Sequence, residues 1–201
     1  MSGRRRAAPL RDAVVPLPEA PLRILSSAHL AEGEWGELSE FEFGLIVATH
    51  AFDRWAVRCM AAAGMPDLTI TDVLVLHHVH HRGKRKKLAD ICFTLNYEDA
   101  HVVTYALRKL TGLGLVRGEK VGKEVLYSTT PAGAALAMRY RAVRDRCLVA
   151  SLRDHLGGPA GKPSGEAVTP QSGHAQLADL ARMLRTLSGL YDQAARAAAS
   201  L

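Results

Sequence analysis

Three sets of residues in this 201-residue chain are of a type and spacing that could do chemistry. The first runs from Tyr97 to Arg108. If Val103 marks the buried direction of a helix here, a rotation of about 100° per residue puts His101, Tyr105 and Arg108 on the opposite face. Tyr97, Glu98 and Thr104 fall at its edges. That face offers hydrogen-bond donors and aromatic rings but no nucleophile beside a base. Its chemistry is the reading of base edges, with Arg108 placed to make two hydrogen bonds to a guanine. The same composition also describes an ordinary solvated helix surface, so its neighbours must decide.

The second set is His77, His78, His80 and His81. His77 and His81 are one helical turn apart, and two imidazoles at that spacing can reach a single metal ion. No cysteine or acidic ligand adjoins them, so packed and solvated histidines are the plainer reading. The third set, Cys59, Cys92 and Cys147, contains no C-x-x-C pair and lies on apolar helical faces. It reads as structural thiols in a reducing compartment. The stretch Gly118 to Glu124 lacks the spacing of a phosphate loop. G-x-G-x-x-G, H-E-x-x-H and G-x-S-x-G are all missing from the chain. Neither catalysis nor a cofactor is expected.

The elements that must carry the first set follow from periodicity. Leu88, Ile91, Cys92 and Leu95 recur at helical intervals, and after a break Ala100, Val103, Leu107 and Leu110 do so again. Asn96 is the expected N-cap of the second helix, which should start near Tyr97, with Asp99 supporting the cap or the dipole. Gly112 and Gly114 end it. An alternating run from Leu115 to Thr129, turning at Val121-Gly122-Lys123, is then a hairpin with a basic tip. Helix, turn, helix and hairpin is the order of a winged helix, whose second helix enters the major groove while the hairpin meets the backbone. From Arg82 to Ser128 there are ten Lys/Arg against five Asp/Glu, so most of the net charge of +6 gathers here. Arg85, Lys86, Lys87, Arg117, Lys120 and Lys123 are the expected phosphate contacts.

With these residues in place, the chain resembles the MarR-type transcriptional regulators. The resemblance rests on Leu88-Ala89, Val103-Thr104, Leu110 followed by Gly114-Leu115-Val116, and Thr130-Pro131-Ala132-Gly133, and it spans about half of the chain. It departs at the wing, where the family's Asp-x-Arg pair is replaced by a short tip, Gly122-Lys123-Glu124. The resemblance implies a homodimer on pseudo-palindromic double-stranded DNA and a first long helix in the dimer interface. It also implies a small effector held between the dimer helices and the DNA-binding lobe. Phe52, Trp55, His77 and Tyr105 are the residues to consider for that pocket.

The fold class expected is mainly α with a small β-hairpin wing. Residues 1–37, rich in Pro and Arg, read as an extended arm, with Arg4, Arg5 and Arg6 as a candidate groove hook. A Ser39-x-x-Glu42 capping box should open a first dimerisation helix over 38–64. The DNA-binding lobe occupies 65–130, entered through a cap at Thr69 to Asp72. A connecting helix follows over 131–156, with Thr130 as N-cap and Pro131 in its first turn. Residues 157–173 have the composition of a flexible linker. Over 174–201, Leu177, Leu180, Leu184, Leu187, Tyr191, Ala194, Ala198 and Leu201 form a heptad seam that calls for a partner, and a two-fold copy of the chain is the expected one. With no secretory or membrane segment, a cytoplasmic, DNA-associated protein is expected. The alternatives are a winged helix that binds an acidic protein partner, and a metal-responsive regulator using His77 and His81.

Overall fold

The computed structural model describes residues 28–30, 34–152 and 170–201. The expected arm over 1–37, including Arg4 to Arg6, and the expected linker over 157–173 lie almost wholly outside the described residues. The chain divides into two units, 1–52 and 53–201.

In the first unit, a 3-10 turn (Ala28–Leu30) precedes α1 (Gly36–Ala62), which continues into the second unit. Ser39 does not cap this helix. The helix begins three residues earlier, and the Ser39 hydroxyl donates to the Leu30 carbonyl at 2.6 Å. Further along, Ile46, Val47 and Phe52 are exposed, and Phe43, Gly44, Val47 and Ala48 line a shallow groove of about 390 Å³.

In the second unit, α2 (Ile70–His80), α3 (Leu88–Leu95), α4 (Ala100–Gly112) and α5 (Pro131–Arg144) surround one core. Met60, Leu76, Ile91, Leu107, Leu110 and Leu136 are fully enclosed in it. The stripe of α3 follows its spacing, and that of α4 does so at Val103, Leu107 and Leu110, but Ala100 is exposed and Ala106 is buried instead. The turn between the two helices also differs. Asn96 is not the N-cap of α4. It closes α3 in the left-handed region (φ 56°), and Asp99 caps α4 by accepting the His101 amide at 2.8 Å. Asn tolerates positive φ better than any other residue with a side chain of its size, so it serves the turn, and the carboxylate three residues on takes the dipole.

The sheet has three antiparallel strands in the order β1 (Lys86–Lys87), β3 (Glu124–Thr129), β2 (Val116–Val121). The hairpin turns at Gly122 (φ 62°) and Lys123, as the sequence predicts. Strand β1, two lysines long, carries no periodic signal and was not foreseen. Beyond α5 the helix widens into a π-helical turn (Asp145–Val149). The last helix, α6 (Pro170–Ala198), starts four residues before the expected boundary. Of its seam, Leu177, Leu180 and Leu184 are exposed, whereas Leu187 is half-buried and the adjoining Ser188 and Asp192 accept from Asn96 at 3.5 Å. No helix among the described residues is long and apolar enough to cross a membrane.

The junction of wing and α5 is the tightest backbone approach. Thr130 caps α5 by accepting the Gly133 amide at 3.1 Å, and its own amide donates to the Leu115 carbonyl at 3.0 Å. A Cβ at Gly133 would stand 2.0 Å from that carbonyl oxygen. Gly133→Ala must therefore push α5 off the strand, at a cost of about 2 kcal/mol or more. Urea unfolding of the variant should show a lower midpoint with an unchanged slope.

Candidate nucleic-acid interface

The outer face of α4 is held out by its inner one. Val103, Ala106, Leu107 and Leu110 are buried against α2 and the rest of the core. This leaves His101, Tyr105 and Arg108 exposed together on the opposite side, Tyr105 at 71%. The three line a cleft of about 570 Å³ with Val102, Thr104, Thr69 and Thr71. Thr104 is half-buried, and its hydroxyl donates back to the Ala100 carbonyl at 2.8 Å, which leaves the oxygen's lone pairs as its outward function. Tyr97 is placed differently from the other members of its set. Its ring packs against the core, and its hydroxyl meets that of Thr71 at 3.0 Å, so it links the α3–α4 turn to the first turn of α2. Val102, 40% exposed, belongs to the accessible face. Polarity alone hid it, although an apolar side chain there suits contact with a thymine methyl.

The orientation of α4 relative to α2 depends on Asp72. The cap expected at Thr69 to Asp72 is present and proves to be a reciprocal capping box: the Thr69 amide donates to Asp72 Oδ2 at 2.8 Å, and the Asp72 amide donates to Thr69 Oγ1 at 3.3 Å. The same carboxylate oxygen takes the Lys109 ammonium from α4 at 2.7 Å, while that ammonium also donates to the Asp67 carbonyl at 2.6 Å. Lys109 is thus committed to the fold.

The expected phosphate contacts fall into two groups. Arg85 pairs with Glu119 at 3.0 Å and Lys87 with Glu124 at 2.7 Å, all four side chains being about half exposed. Hydrogen bonding to Glu124 and its charge raise the Lys87 ammonium above its ordinary pKa. Arg117 donates to the Ser128 hydroxyl at 3.1 Å. Lys120 and Lys123, at and beside the wing tip, are exposed, and Lys86 is half-buried in β1.

Of the residues considered for an effector pocket, Phe52 belongs to the first unit, and Trp55, His77 and Tyr105 of the second are not brought to one place. Tyr105 is on the outer face of α4, and Trp55 packs against the core. His77 lines a separate cleft of about 410 Å³ between α2 and α5, with His80, Met138, Tyr140, Arg141 and Arg144. Its ring meets Tyr140 edge-on at 4.4 Å, and its Nε2 is buried with no hydrogen-bond partner among the described residues. Burial, then the neighbouring charge of His80, lowers its pKa. Burial also pushes the Tyr140 phenol up to about 12. His81 is exposed in the 3-10 turn after α2, and among the described residues no three His, Cys, Asp or Glu are grouped to hold a metal ion.

Residues 68–133 match the family described as a winged helix DNA-binding domain. Several solved structures share the fold. A MarR family regulator from Neisseria meningitidis is 16% identical, with 78% of this chain and 97% of that one covered and a TM-score of 0.53. MepR, a transcription regulator of the Staphylococcus aureus multidrug efflux pump MepA, is 15% identical over 73% and 98%, with a TM-score of 0.50. NadR in complex with 4-hydroxyphenylacetate is 18% identical over 72% and 91%, with a TM-score of 0.53. No curated protein matches the sequence significantly.

Two outcomes follow from the buried groups. Lys109→Met strands the Asp72 carboxylate in the interior and should cost about 3 kcal/mol in a denaturant titration. His77 has a folded pKa below its ordinary 6.5. As pH falls through that value the unfolded chain takes up a proton that the folded chain refuses, so stability falls with pH. The Tm at about pH 5.5 should therefore lie below that at about pH 7.5, and His77→Gln should narrow the gap.

Proposed function

We propose that this chain, which carries a winged helix DNA-binding domain within the fold of MarR-family regulators, is a transcription regulator acting as a homodimer on an inverted repeat. The observation that carries this reading is the face His101, Tyr105 and Arg108, held outward on α4 beside a wing whose tip carries Lys120 and Lys123. Placed in a major groove, α4 presents Arg108 to guanine N7 and O6, and His101 and Tyr105 to neighbouring edges. Lys86, Lys120 and Lys123 supply phosphate contacts that set register and carry no sequence information.

The exposed Leu177, Leu180 and Leu184 of the α6 seam and the exposed apolar residues of α1 support a second copy of the chain as their partner. A seam of more than three heptads is seldom left to solvent. Two copies related by a two-fold axis present two α4 helices to half-sites about one helical turn apart.

The cleft between α2 and α5 is the place for an effector. Its walls combine an aromatic edge, the Met138 thioether and an unpartnered imidazole nitrogen, with Arg141 and Arg144 sharing Asp145 at 3.7 Å, which suits a small aromatic ligand. NadR, of the same fold, is known with 4-hydroxyphenylacetate bound. A ligand at this position regulates only if it binds one DNA-binding state more tightly than the other.

Selection of the full chain against a random duplex pool at near-physiological salt tests the reading. An enriched inverted repeat is expected. Retention without a consensus would instead favour a basic surface for an acidic protein partner. On the enriched site, Arg108→Ala should lose about 1–3 kcal/mol and relax one base position. Lys123→Ala should weaken operator and random duplex alike and flatten the salt slope by about one unit.

A further inference from the structure

Side chains alternate across a strand, so the register of the wing sorts its charges onto two faces. Lys87 stands opposite Leu126, and Leu126 opposite Glu119; Arg117 stands opposite Ser128 and Val121 opposite Glu124. One face therefore carries Lys87, Arg117, Glu119 and Glu124, joined by Arg85 just before β1. The other carries Lys86 (opposite Tyr127), Gly118 and Lys120, without a carboxylate. On the mixed face both glutamates are in ion pairs, Glu119 with Arg85 and Glu124 with Lys87.

These pairs are too exposed to be explained by stability, since half-exposed ion pairs contribute little to it. Their effect on a polyanion is larger. A cation adds to DNA affinity in proportion to the phosphate charge it neutralises and the counterion it releases. A guanidinium or ammonium already held at 3.0 or 2.7 Å by a carboxylate must first give up that partner, or bring its negative charge to the duplex. Two of the cations that a count of basic residues assigns to DNA are thus cancelled locally.

We infer that Glu119 and Glu124 restrain the sequence-blind affinity of this domain for DNA by occupying Arg85 and Lys87, leaving recognition to the exposed face of α4. The inference rests on the DNA-binding reading above and adds specificity-setting residues that no count of positive charge would pick out. It also accounts for a wing that combines lysines at its tip with glutamates along its strands.

The test is the salt dependence of binding to a fluorescent random-sequence duplex, measured for the full chain and two variants. For E119Q/E124Q the slope of log K against log salt should steepen by about 0.9 for each cation released, about 1.8 in all. Across a fourfold rise in salt this is roughly a twelvefold greater loss of affinity. The random-duplex affinity at low salt should rise. R85Q/K87Q/E119Q/E124Q, which removes both partners of each pair, should return the slope to that of the wild type. A double variant with the wild-type slope overturns the inference while leaving the DNA-binding reading intact. So does weaker binding by a folded double variant, which would make the glutamates positioners of the cations. A steeper slope that persists in the quadruple variant also overturns it, because Arg85 and Lys87 would not be its source. A wild type without salt-dependent duplex binding overturns both the inference and the reading beneath it.

Discussion

The Asp72 carboxylate is almost wholly buried and is asked to do two things at once. It accepts the Thr69 amide, which closes the first turn of α2, and it accepts the Lys109 ammonium, which fixes α4 against that turn. A carboxylate withdrawn from water is tolerable only when its lone pairs are filled by charged or oriented donors. Each of the two helices thus supplies what makes the other's contribution affordable. The hydrophobic stripe of α4 specifies which side faces inward, but a stripe tolerates sliding and rolling. The ion pair anchors one point near the end of α4, and the Thr71–Tyr97 hydroxyl contact fixes the turn at its beginning. Held at both ends, α4 can present its outer residues at fixed positions, as a bidentate contact to a base requires.

The same logic sorts the basic residues by what their charge is used for. Lys109 and Arg139 donate to buried or carbonyl partners and hold the fold, the latter through the Ala63 carbonyl at 2.8 Å. Arg85 and Lys87 are matched by the wing's own glutamates. Arg108, Lys120 and Lys123 are exposed. A net charge is therefore a poor measure of what a polyanion would meet, since the local excess of five between Arg82 and Ser128 includes cations with three different employments. Charge density draws a protein to DNA from a distance, whereas the paired and unpaired states of particular side chains decide how tightly it settles.

Most of what could be read from the sequence is controlled by a local rule, although the local Ser39-x-x-Glu42 signal failed because α1 starts earlier, at Gly36. The helical stripes, the cap at Thr69 to Asp72, the Gly122 turn and the Thr130-Pro131 start of α5 each depend on neighbours within one turn. At Asn96 two local rules competed. Asn is both a good N-cap and a good left-handed residue, and with Asp99 available for the cap the turn took Asn96 for itself. Other features were hidden because they depend on residues far apart. Lys109 finds Asp72 across 37 positions and Arg85 finds Glu119 across 34. The requirement for Gly133 comes from the Leu115 carbonyl and not from its own helix. Strand β1 is two lysines that become a strand only because β3 lies alongside. In the proposed interface, the face of α4 was legible down to His101, Tyr105 and Arg108. Tyr97 and Val102 were not, because their placement depends on where the first turn of α2 lies.

Helix α2 is where the two halves of the proposed function meet. Its first turn holds α4 through Asp72, and its last two turns line the cleft through His77 and His80. His80 also reaches the wing, its Nδ1 standing 3.4 Å from the Thr129 hydroxyl. Under the proposed function, occupation of the cleft would bear on a helix that contacts both α4 and the wing, with no intermediate to cross. Close-packed interfaces of this kind respond to a wedge by moving as bodies, because neither side can compress. With the Lys109–Asp72 pair holding the other end of α2 at 2.7 Å, a displacement at the His77 end would be taken up as rotation more readily than as translation. Such a rotation would alter the angle of α4 while preserving its contact with the core. If a ligand in the cleft and DNA on the α4 face were coupled through α2, linkage would make each change the other's affinity by the same amount.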